Sequence, residues 1–312
     1  MKKHWSSQDI PDLNGRIAVI TGANGGLGTA STRALARAGA TVIMACRNTE
    51  KAAQVAEAIR QEVAHAKLDV LALDLARLAS IHAFAEQVNR RYPHVDILLN
   101  NAGIINMPER RTEDGFESMV GVDFLGHFAL TGQLLESLRK SPAARVVGVG
   151  SAGWMHQFAR IRLHDLNWEK STFNSMMATG QAKLALQIFC IELDRRLRAH
   201  KESTISTVAH PGVADSNVSL ASLQFTHAPI REKLIHLANR WLVQSSDQGA
   251  LPQLYAATAD GVKGGDFYGP GGIFELYGAP KPVKSGANAR NEDTGKQLWE
   301  LAEQLTGVRY LS

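Results

Sequence analysis

The sequence predicts an α/β protein in which a doubly wound parallel sheet of about seven strands carries helices on both faces. Short β-branched runs alternate with longer helical patterns through the first two thirds of the chain, which is typical of parallel sheets. The 312 residues are 45% hydrophobic and 21% charged, which is enough for a buried core and excludes disorder and fibrous repeats. We therefore expect one domain over residues 1–312, with an N-terminal arm (1–14), a helical substrate cap (214–244) and a C-terminal extension (270–312).

The alternation places the elements in order along the chain. The predicted strands cover residues 17–20, 41–45, 68–73, 95–99, 145–149, 204–209 and 266–268. The predicted helices cover residues 26–38, 49–64, 80–91, 116–140 and 174–200. Gly39 ends the first helix because glycine adopts the left-handed conformation easily, and Pro93 ends the third. Right-handed crossovers place the carboxyl ends of the strands along one edge, where a ligand is expected.

Charge and cysteine usage exclude several classes of protein. Lys and Arg number 34 against 30 for Asp and Glu and are scattered, which is too weak a bias for a nucleic-acid partner. Cys46 and Cys190 form no zinc-type cluster and no disulfide framework, so we expect free thiols in a reducing compartment and no metal. No apolar stretch reaches the ~18 residues that span a bilayer, and residues 1–15 lack a signal-peptide core. We expect a cytoplasmic protein without a membrane span.

A glycine-rich loop joins the first predicted strand to the first predicted helix. It reads Thr21-Gly22-Ala23-Asn24-Gly25-Gly26-Leu27-Gly28. A pyrophosphate fits such a loop because the free amides and positive dipole of a helix N-terminus face it, and because glycines let the backbone come close. The loop predicts a dinucleotide site formed by Thr21, Gly22, Asn24, Gly26, Leu27 and Gly28. The alternative is a glycine-rich turn without a ligand.

The residues after the second strand predict which dinucleotide is bound. An acid about 20 residues beyond the glycines favours NAD, because it accepts a hydrogen bond from the ribose 2′-hydroxyl. This chain reads Ala45-Cys46-Arg47-Asn48, without a carboxylate. A guanidinium forms paired hydrogen bonds with a 2′-phosphate, so Arg47 favours NADP(H) over NAD(H). The alternatives are that Arg47 is a solvated turn residue or that both cofactors are used.

Six motifs are spread over nearly the whole chain. They are the loop at residues 21–28, Leu73-Asp74-Leu75, Asn100-Asn101-Ala102-Gly103, Gly126-His127-Phe128, Gly180-Gln181-Ala182-Lys183 and His210-Pro211-Gly212. Together they resemble the short-chain dehydrogenase/reductase family, on the branch similar to retinol dehydrogenases and the WW-domain-containing oxidoreductase. The resemblance implies a Rossmann-like fold, a small-molecule substrate and, by analogy, a homo-oligomer.

The same resemblance assigns roles to residues outside the glycine loop. It implies that Asp74 hydrogen-bonds the adenine, and that Asn101, Ala102 and Gly103 line the cofactor groove. It further implies that Pro211, Gly212 and Val213 approach the nicotinamide carboxamide. Taken alone, Asp74 could equally be a helix cap after the third strand.

The catalytic residues of that family are kept only in part. In the family a Tyr exchanges the proton that hydride transfer requires, and a Lys four residues later lowers the pKa of the phenol. The Lys matches Lys183, which can also hydrogen-bond the nicotinamide ribose, but Thr179 stands where the Tyr belongs. An aliphatic hydroxyl is far less acidic than a phenol. Of the five tyrosines, Tyr268 near the sheet edge is the one alternative that we retain.

Two further positions match catalytic residues of the family. Ser151 matches its substrate-orienting Ser, and Val149 two positions earlier excludes the nucleophile elbow of an esterase. Asp123 stands where the family has a relay Asn, so an acceptor-only carboxylate replaces an amide. If Asp123 lies near Lys183, an ion pair depresses its pKa; alternatively, burial protonates Asp123 and makes it the proton source. A third interpretation is drift in a site that no longer catalyses.

The expected function follows from these residues. Aromatic and Met residues between Ser151 and Thr179 favour a bulky apolar substrate, although such residues fill cores as often. His156 in this stretch is a further candidate acid. We expect an NADP(H)-dependent oxidoreductase of alcohol and carbonyl groups, with Ser151, Asp123 or water supplying the proton. The alternatives are a non-redox enzyme, such as a cyclase, isomerase or lyase, that uses Asp123, and an NADP-binding protein without turnover.

Overall fold

The computed structural model describes residues 4–152, 159–214 and 244–311. Within them eight strands form one sheet in the order β3-β2-β1-β4-β5-β6-β7-β8. The strands are β1 (Ile17–Thr21), β2 (Thr41–Cys46), β3 (Lys67–Ala72), β4 (Ile97–Asn100), β5 (Arg145–Val149), β6 (Ile205–Ala209), β7 (Phe267–Pro270) and β8 (Pro280–Val283). Every neighbouring pair is parallel except β7 and β8. The predicted doubly wound α/β fold is confirmed.

Helices connect the strands and cover both faces of the sheet. They are α1 (Gly26–Arg37), α2 (Thr49–Glu62), α3 (Leu78–Arg91), α4 (Ser118–Val120), α5 (Gly126–Gln133), α6 (Leu135–Arg139), α7 (Ser175–Ala199), α8 (Ser246–Gly249), α9 (Leu251–Thr258) and α10 (Glu292–Thr306). Val19 and Ile20 are both fully buried, but they belong to different apolar clusters because successive strand residues point to opposite faces. A continuous apolar run such as β1 is therefore typical of a sheet covered on both sides.

The helix that the sequence predicts over residues 116–140 is interrupted. Between α4 and α5 the chain forms a π-helical turn, Gly121–Leu125, and α6 follows as a separate short helix. A π-helical turn widens the backbone by one residue and occurs often at functional sites. Here it contains Asp123, whose side chain is fully buried. The turn therefore positions one of the predicted site residues.

The C-terminal extension contributes to the sheet and to the core. β8 pairs antiparallel with β7 at the sheet edge, which accounts for the eighth strand. The final helix α10 has 15 residues and buries Trp299. The Trp299 ring lies 5.0 Å from that of Phe128 and 4.8 Å from that of Tyr310, measured between centroids. The extension is therefore packed into the protein.

Two predicted regions lie outside the described residues. The helical cap predicted over residues 214–244 lies outside except for its two end residues, Ala214 and Gln244, which form a parallel bridge. The segment 153–158, which contains the candidate acid His156, also lies outside. Among the helices that the structure describes, none is long and apolar enough to cross a membrane.

Candidate active site

One long cavity of about 640 Å³ runs along the carboxyl ends of the parallel strands. Residues that directly follow β1, β2, β3, β4, β5 and β6 line it, as the topology predicts for a doubly wound sheet. All the predicted site residues line this cavity except Asp123 and Thr179. The glycine loop follows β1 and Arg47 follows β2, on one side of the sheet. Ser151 lies after β5, on the other side, where Lys183 of α7 also lines the cavity.

The glycine loop has the geometry that a pyrophosphate requires. Gly22 takes a positive φ of 64°, and a Cβ at Gly28 would lie 2.2 Å from the Gly22 carbonyl oxygen, so only glycine fits at Gly28. Helix α1 begins after Gly25, which supplies no side-chain cap. The first amides of the helix therefore lack a side-chain acceptor where they border the cavity. This loop fits the phosphates of a dinucleotide.

A buried hydrogen-bond network connects the end of β1 to the π-helical turn. The Thr21 hydroxyl oxygen accepts hydrogen bonds from the backbone amides of Asn101 and Ala102, both at 2.9 Å. His127 Nδ1 faces the Asp123 carbonyl oxygen at 3.0 Å and must carry the proton, so Nε2 accepts from the Thr21 hydroxyl at 3.0 Å. Burial lowers the pKa of His127 to about 4, which keeps the ring neutral. The network fixes the loop after β4 against β1.

Asp74 has two contacts that bear on its predicted roles. Its Oδ1 accepts a hydrogen bond from the Ala76 amide at 3.0 Å, and its own amide donates to the Ser80 hydroxyl at 2.9 Å. Helix α3 begins later, after Arg77, so Asp74 stabilises the preceding turn and does not cap the helix. Because Asp74 also lines the cavity, it remains available to an adenine.

Lys183 and Asp123 form a buried ion pair. Lys183 Nζ lies 2.9 Å from Asp123 Oδ2, and the other carboxylate oxygen accepts a hydrogen bond from the Ile104 amide at 2.8 Å. A Cβ at Gly103 would lie 2.5 Å from Nζ, so the glycine leaves room for the ammonium. Burial raises the pKa of Asp123 and outweighs the opposing effect of the Lys183 charge. Of the two alternatives that the sequence left open, an ion pair that lowers this pKa and burial that raises it, the direction agrees with burial, although the ion pair is also formed.

The Thr179 hydroxyl does not face the cavity. The hydroxyl donates to the Ser175 carbonyl oxygen at 2.8 Å, one helical turn earlier, and accepts from the Asn106 amide at 2.9 Å. Tyr268, the retained alternative, is buried away from the cavity, where its hydroxyl accepts from the Lys263 amide. Burial raises the pKa of Tyr268 to about 12. Among the described residues, therefore, no phenol lines the cavity.

Several cavity residues were missed by the sequence analysis. Asn48 and Lys51 extend the polar wall beside Arg47, and the position of Lys51 in the first turn of α2 was a usable signal. Ile104 and Ile105 add apolar wall after β4. Glu275, from the turn between β7 and β8, also lines the cavity, and no local motif marked it. No cluster of potential metal ligands occurs in the described residues.

Comparisons with known proteins agree with this architecture. A family model described as short chain dehydrogenase matches residues 16–161. Mouse retinol dehydrogenase 14 is 35% identical over 309 residues, which is 95% of this chain and 87% of that protein. Human polyprenol dehydrogenase is 34% identical over 304 residues, which is 96% of this chain and 87% of that protein. A solved structure of an uncharacterized protein from Mycobacterium paratuberculosis has a TM-score of 0.80 at 37% identity and covers 99% of both chains.

The chain belongs to the short-chain dehydrogenase/reductase family, in its retinol dehydrogenase branch. The resemblance inferred from the motifs is thereby confirmed. Members of this family are oxidoreductases that bind NAD or NADP and act on small molecules.

Proposed function

We propose that the protein is an NADP(H)-dependent oxidoreductase that interconverts an alcohol and a carbonyl group on a bulky apolar substrate. The observation that carries this proposal is one cavity that joins the glycine loop and Arg47 to Ser151 and Lys183. A dinucleotide bound along it would bring its reactive ring to the end where Ser151 and Lys183 line the wall.

Three side chains support NADP(H) as the cofactor. Arg47 and Lys51 are exposed on the cavity wall, and Asn48 lies between them in the chain. Two cations beside one wall attract a 2′-phosphate, and the guanidinium matches its oxygens in pairs. The two residues directly after β2, Arg47 and Asn48, include no carboxylate that could select an unmodified ribose.

Lys183 can donate the proton that the carbonyl oxygen requires, without a phenol. When bound, the reduced nicotinamide supplies a hydride to the carbonyl carbon, and the oxidised form removes it in the reverse direction. The carbonyl oxygen then needs one proton, and Lys183 is the charged donor on this wall, with Ser151 available to hold the oxygen. Lys183 therefore takes the place of the phenol as the proton donor in this proposal. Asp123 is fully buried and pairs with Lys183, so it affects the reaction only by holding the Lys183 ammonium.

The wall of the reactive end supports an apolar substrate. Ile104, Ile105, Val122 and Leu276 are lining residues. Two relatives are named for retinol and polyprenol, which are long apolar alcohols. A substrate of that class would bury its chain against aliphatic side chains while its oxygen meets Ser151 and Lys183.

Binding measurements test the cofactor. Calorimetry should show NADPH bound at least about tenfold more tightly than NADH by the unmodified protein. Arg47→Gln should remove most of this preference and leave NADH binding unchanged, whereas Arg90→Gln, on the exposed surface of α3, should change neither. If the unmodified protein binds neither cofactor, the proposal is wrong.

Turnover tests the chemistry. Long-chain and polyene aldehydes should consume NADPH, with small sugars as the polar control. Lys183→Met, measured at saturating NADPH, should lose about 10²- to 10⁴-fold in rate, as expected for loss of an acid–base group. Thr179→Val should stay near the unmodified rate because the Thr179 hydroxyl bonds away from the cavity. Binding without turnover of any compound would favour an inactive NADP-binding protein.

A further inference from the structure

The turn between β7 and β8 packs tightly on the loop that follows β6. The Val213 amide donates to the Leu276 carbonyl oxygen at 3.0 Å, and Gln244 Nε2 donates to the same oxygen at 3.0 Å. Gly212 has a φ of 67°, and a Cβ there would lie 2.3 Å from that carbonyl oxygen. The close approach requires glycine, so the turn is fixed against the loop.

This turn brings one acidic residue, Glu275, to the cavity. Phe274 and Glu275 have φ values of 49° and 58°, a left-handed conformation that non-glycine residues rarely adopt. The Phe274 side chain is 77% exposed, whereas Glu275 lines the cavity. Two adjacent left-handed residues therefore place Glu275 on the cavity wall, beside the loop that contains Gly212.

A buried histidine holds the Glu275 carboxylate without neutralising it. The Gly212 amide donates to His210 Nδ1 at 3.2 Å, so Nδ1 is an acceptor and the ring proton of a neutral His210 is on Nε2. Nε2 then donates to Glu275 Oε2 at 3.1 Å. Within the described part of the chain, no Lys or Arg forms an ion pair with Glu275. The carboxylate is therefore oriented by a neutral donor.

Counted over the described residues, the reactive end of the cavity has a negative charge balance. The Lys183 ammonium is offset by Asp123 at 2.9 Å, while Glu275 has no such cationic partner among the described residues. The nicotinamide ring is positively charged when oxidised and uncharged when reduced. A fixed carboxylate near it stabilises the charged form selectively.

We infer that Glu275 is a specificity-determining residue that makes the site bind the oxidised cofactor more tightly than the reduced one, and so favours oxidation of an alcohol. In that direction the Lys183 ammonium first releases a proton to water, and its neutral amine then takes the hydroxyl proton of the substrate while the hydride passes to the ring. The products are a carbonyl compound, the reduced cofactor and the restored ammonium. This inference rests on the proposed function, because it requires a nicotinamide cofactor in the cavity.

Cofactor binding tests the inference without substrate. Dissociation constants for NADP⁺ and NADPH are measured by calorimetry and by NADPH fluorescence for the unmodified protein, Glu275→Gln, Glu275→Asp and Glu57→Gln. Glu275→Gln keeps an oxygen for His210 and should weaken NADP⁺ by about five- to tenfold, with NADPH changed by less than about twofold. A tenfold change in this ratio corresponds to about 30 mV in the potential of the bound cofactor. Glu275→Asp keeps the charge and should preserve the ratio, as should Glu57→Gln on the exposed face of α2.

The possible failures are distinguishable. If Glu275→Gln weakens both cofactors equally, the residue only holds the turn in place, and the inference is overturned. An unchanged ratio overturns it as well. If the unmodified protein binds neither cofactor, the proposed function itself fails, whereas an unchanged ratio with tight binding leaves that function intact.

Discussion

The buried pair of Lys183 and Asp123 can be measured by a double-mutant cycle. The nitrogen and oxygen are 2.9 Å apart, and the two side chains are 10% and 0% exposed. Asp123→Asn removes the negative charge but keeps an oxygen for the Ile104 amide. Lys183→Met removes the positive charge and keeps a side chain of similar length. Each single substitution leaves an unpaired charge, whereas the double substitution leaves none.

The expected coupling energy follows from the geometry. At 2.9 Å the attraction between two unit charges is about 6 kcal/mol for an effective dielectric constant of about 20. Desolvation opposes it, as the raised pKa of Asp123 indicates, and removing one partner of a buried pair costs about 3–5 kcal/mol. Because Lys183 reaches the cavity wall, we expect about 3 kcal/mol for each single substitution and little more for both together. The coupling energy should therefore be about 2–3 kcal/mol.

Urea unfolding followed by circular dichroism measures the four free energies of unfolding, without cofactor so that binding does not contribute. Glu57 and Arg60 supply a control cycle, since this pair is exposed with a 3.6 Å contact and should couple by less than about 1 kcal/mol. If the single effects of Asp123→Asn and Lys183→Met add to the double effect within about 0.5 kcal/mol, the two charges do not interact as described.

Three further predictions concern the residues around this pair. Burial lowers the pKa of His127 from 6.5 to about 4, so the stability that its neutral form contributes is complete above pH 6.5 and is lost as the pH falls toward 4. In urea unfolding, His127→Gln should reduce this loss of stability by about 3 kcal/mol. If the slope of the unfolding free energy against pH is unchanged, the assignment is wrong. Gly103→Ala places a Cβ 2.5 Å from the Lys183 ammonium and should weaken NADPH about tenfold in fluorescence titration, whereas full affinity would show that the ammonium moves freely. Thr179→Tyr adds a phenol one turn before Lys183 and should raise NADPH-dependent reduction of aldehydes by about a hundredfold; no gain with NADPH still bound would show that the phenol is not the limiting group.

Most of the sheet could be predicted because its signals are local. The strands β1 to β6 are short segments rich in aliphatic and β-branched residues, and β5 begins and ends where the sequence placed it. β8 carried no such signal, since Pro280 and Pro282 are poor strand residues that only a sheet edge tolerates. The π-helical turn at Gly121–Leu125 was also unpredictable, because its amphipathic pattern is close to that of an ordinary helix.

The candidate site likewise contains residues that could be predicted from the sequence and residues that could not. Residues within a short motif, such as Gly22 and Gly28, could be assigned because loop and helix are contiguous in the chain. Glu275 could not, since its partner His210 is 65 residues away and the contact depends on the packing of two loops. The orientation of the Thr179 hydroxyl likewise depends on Asn106, which lies 73 residues earlier.

The departures at Thr179 and Asp123 are better understood together than separately. A buried ion pair stabilises a fold little compared with apolar side chains of the same size, so stability alone does not explain two charges at Lys183 and Asp123. Thr179 takes away the usual proton donor, and the Asp123 carboxylate holds the Lys183 ammonium at the cavity wall. Because Gly103 leaves room for that ammonium, the arrangement favours a working proton donor over a site that has only lost one.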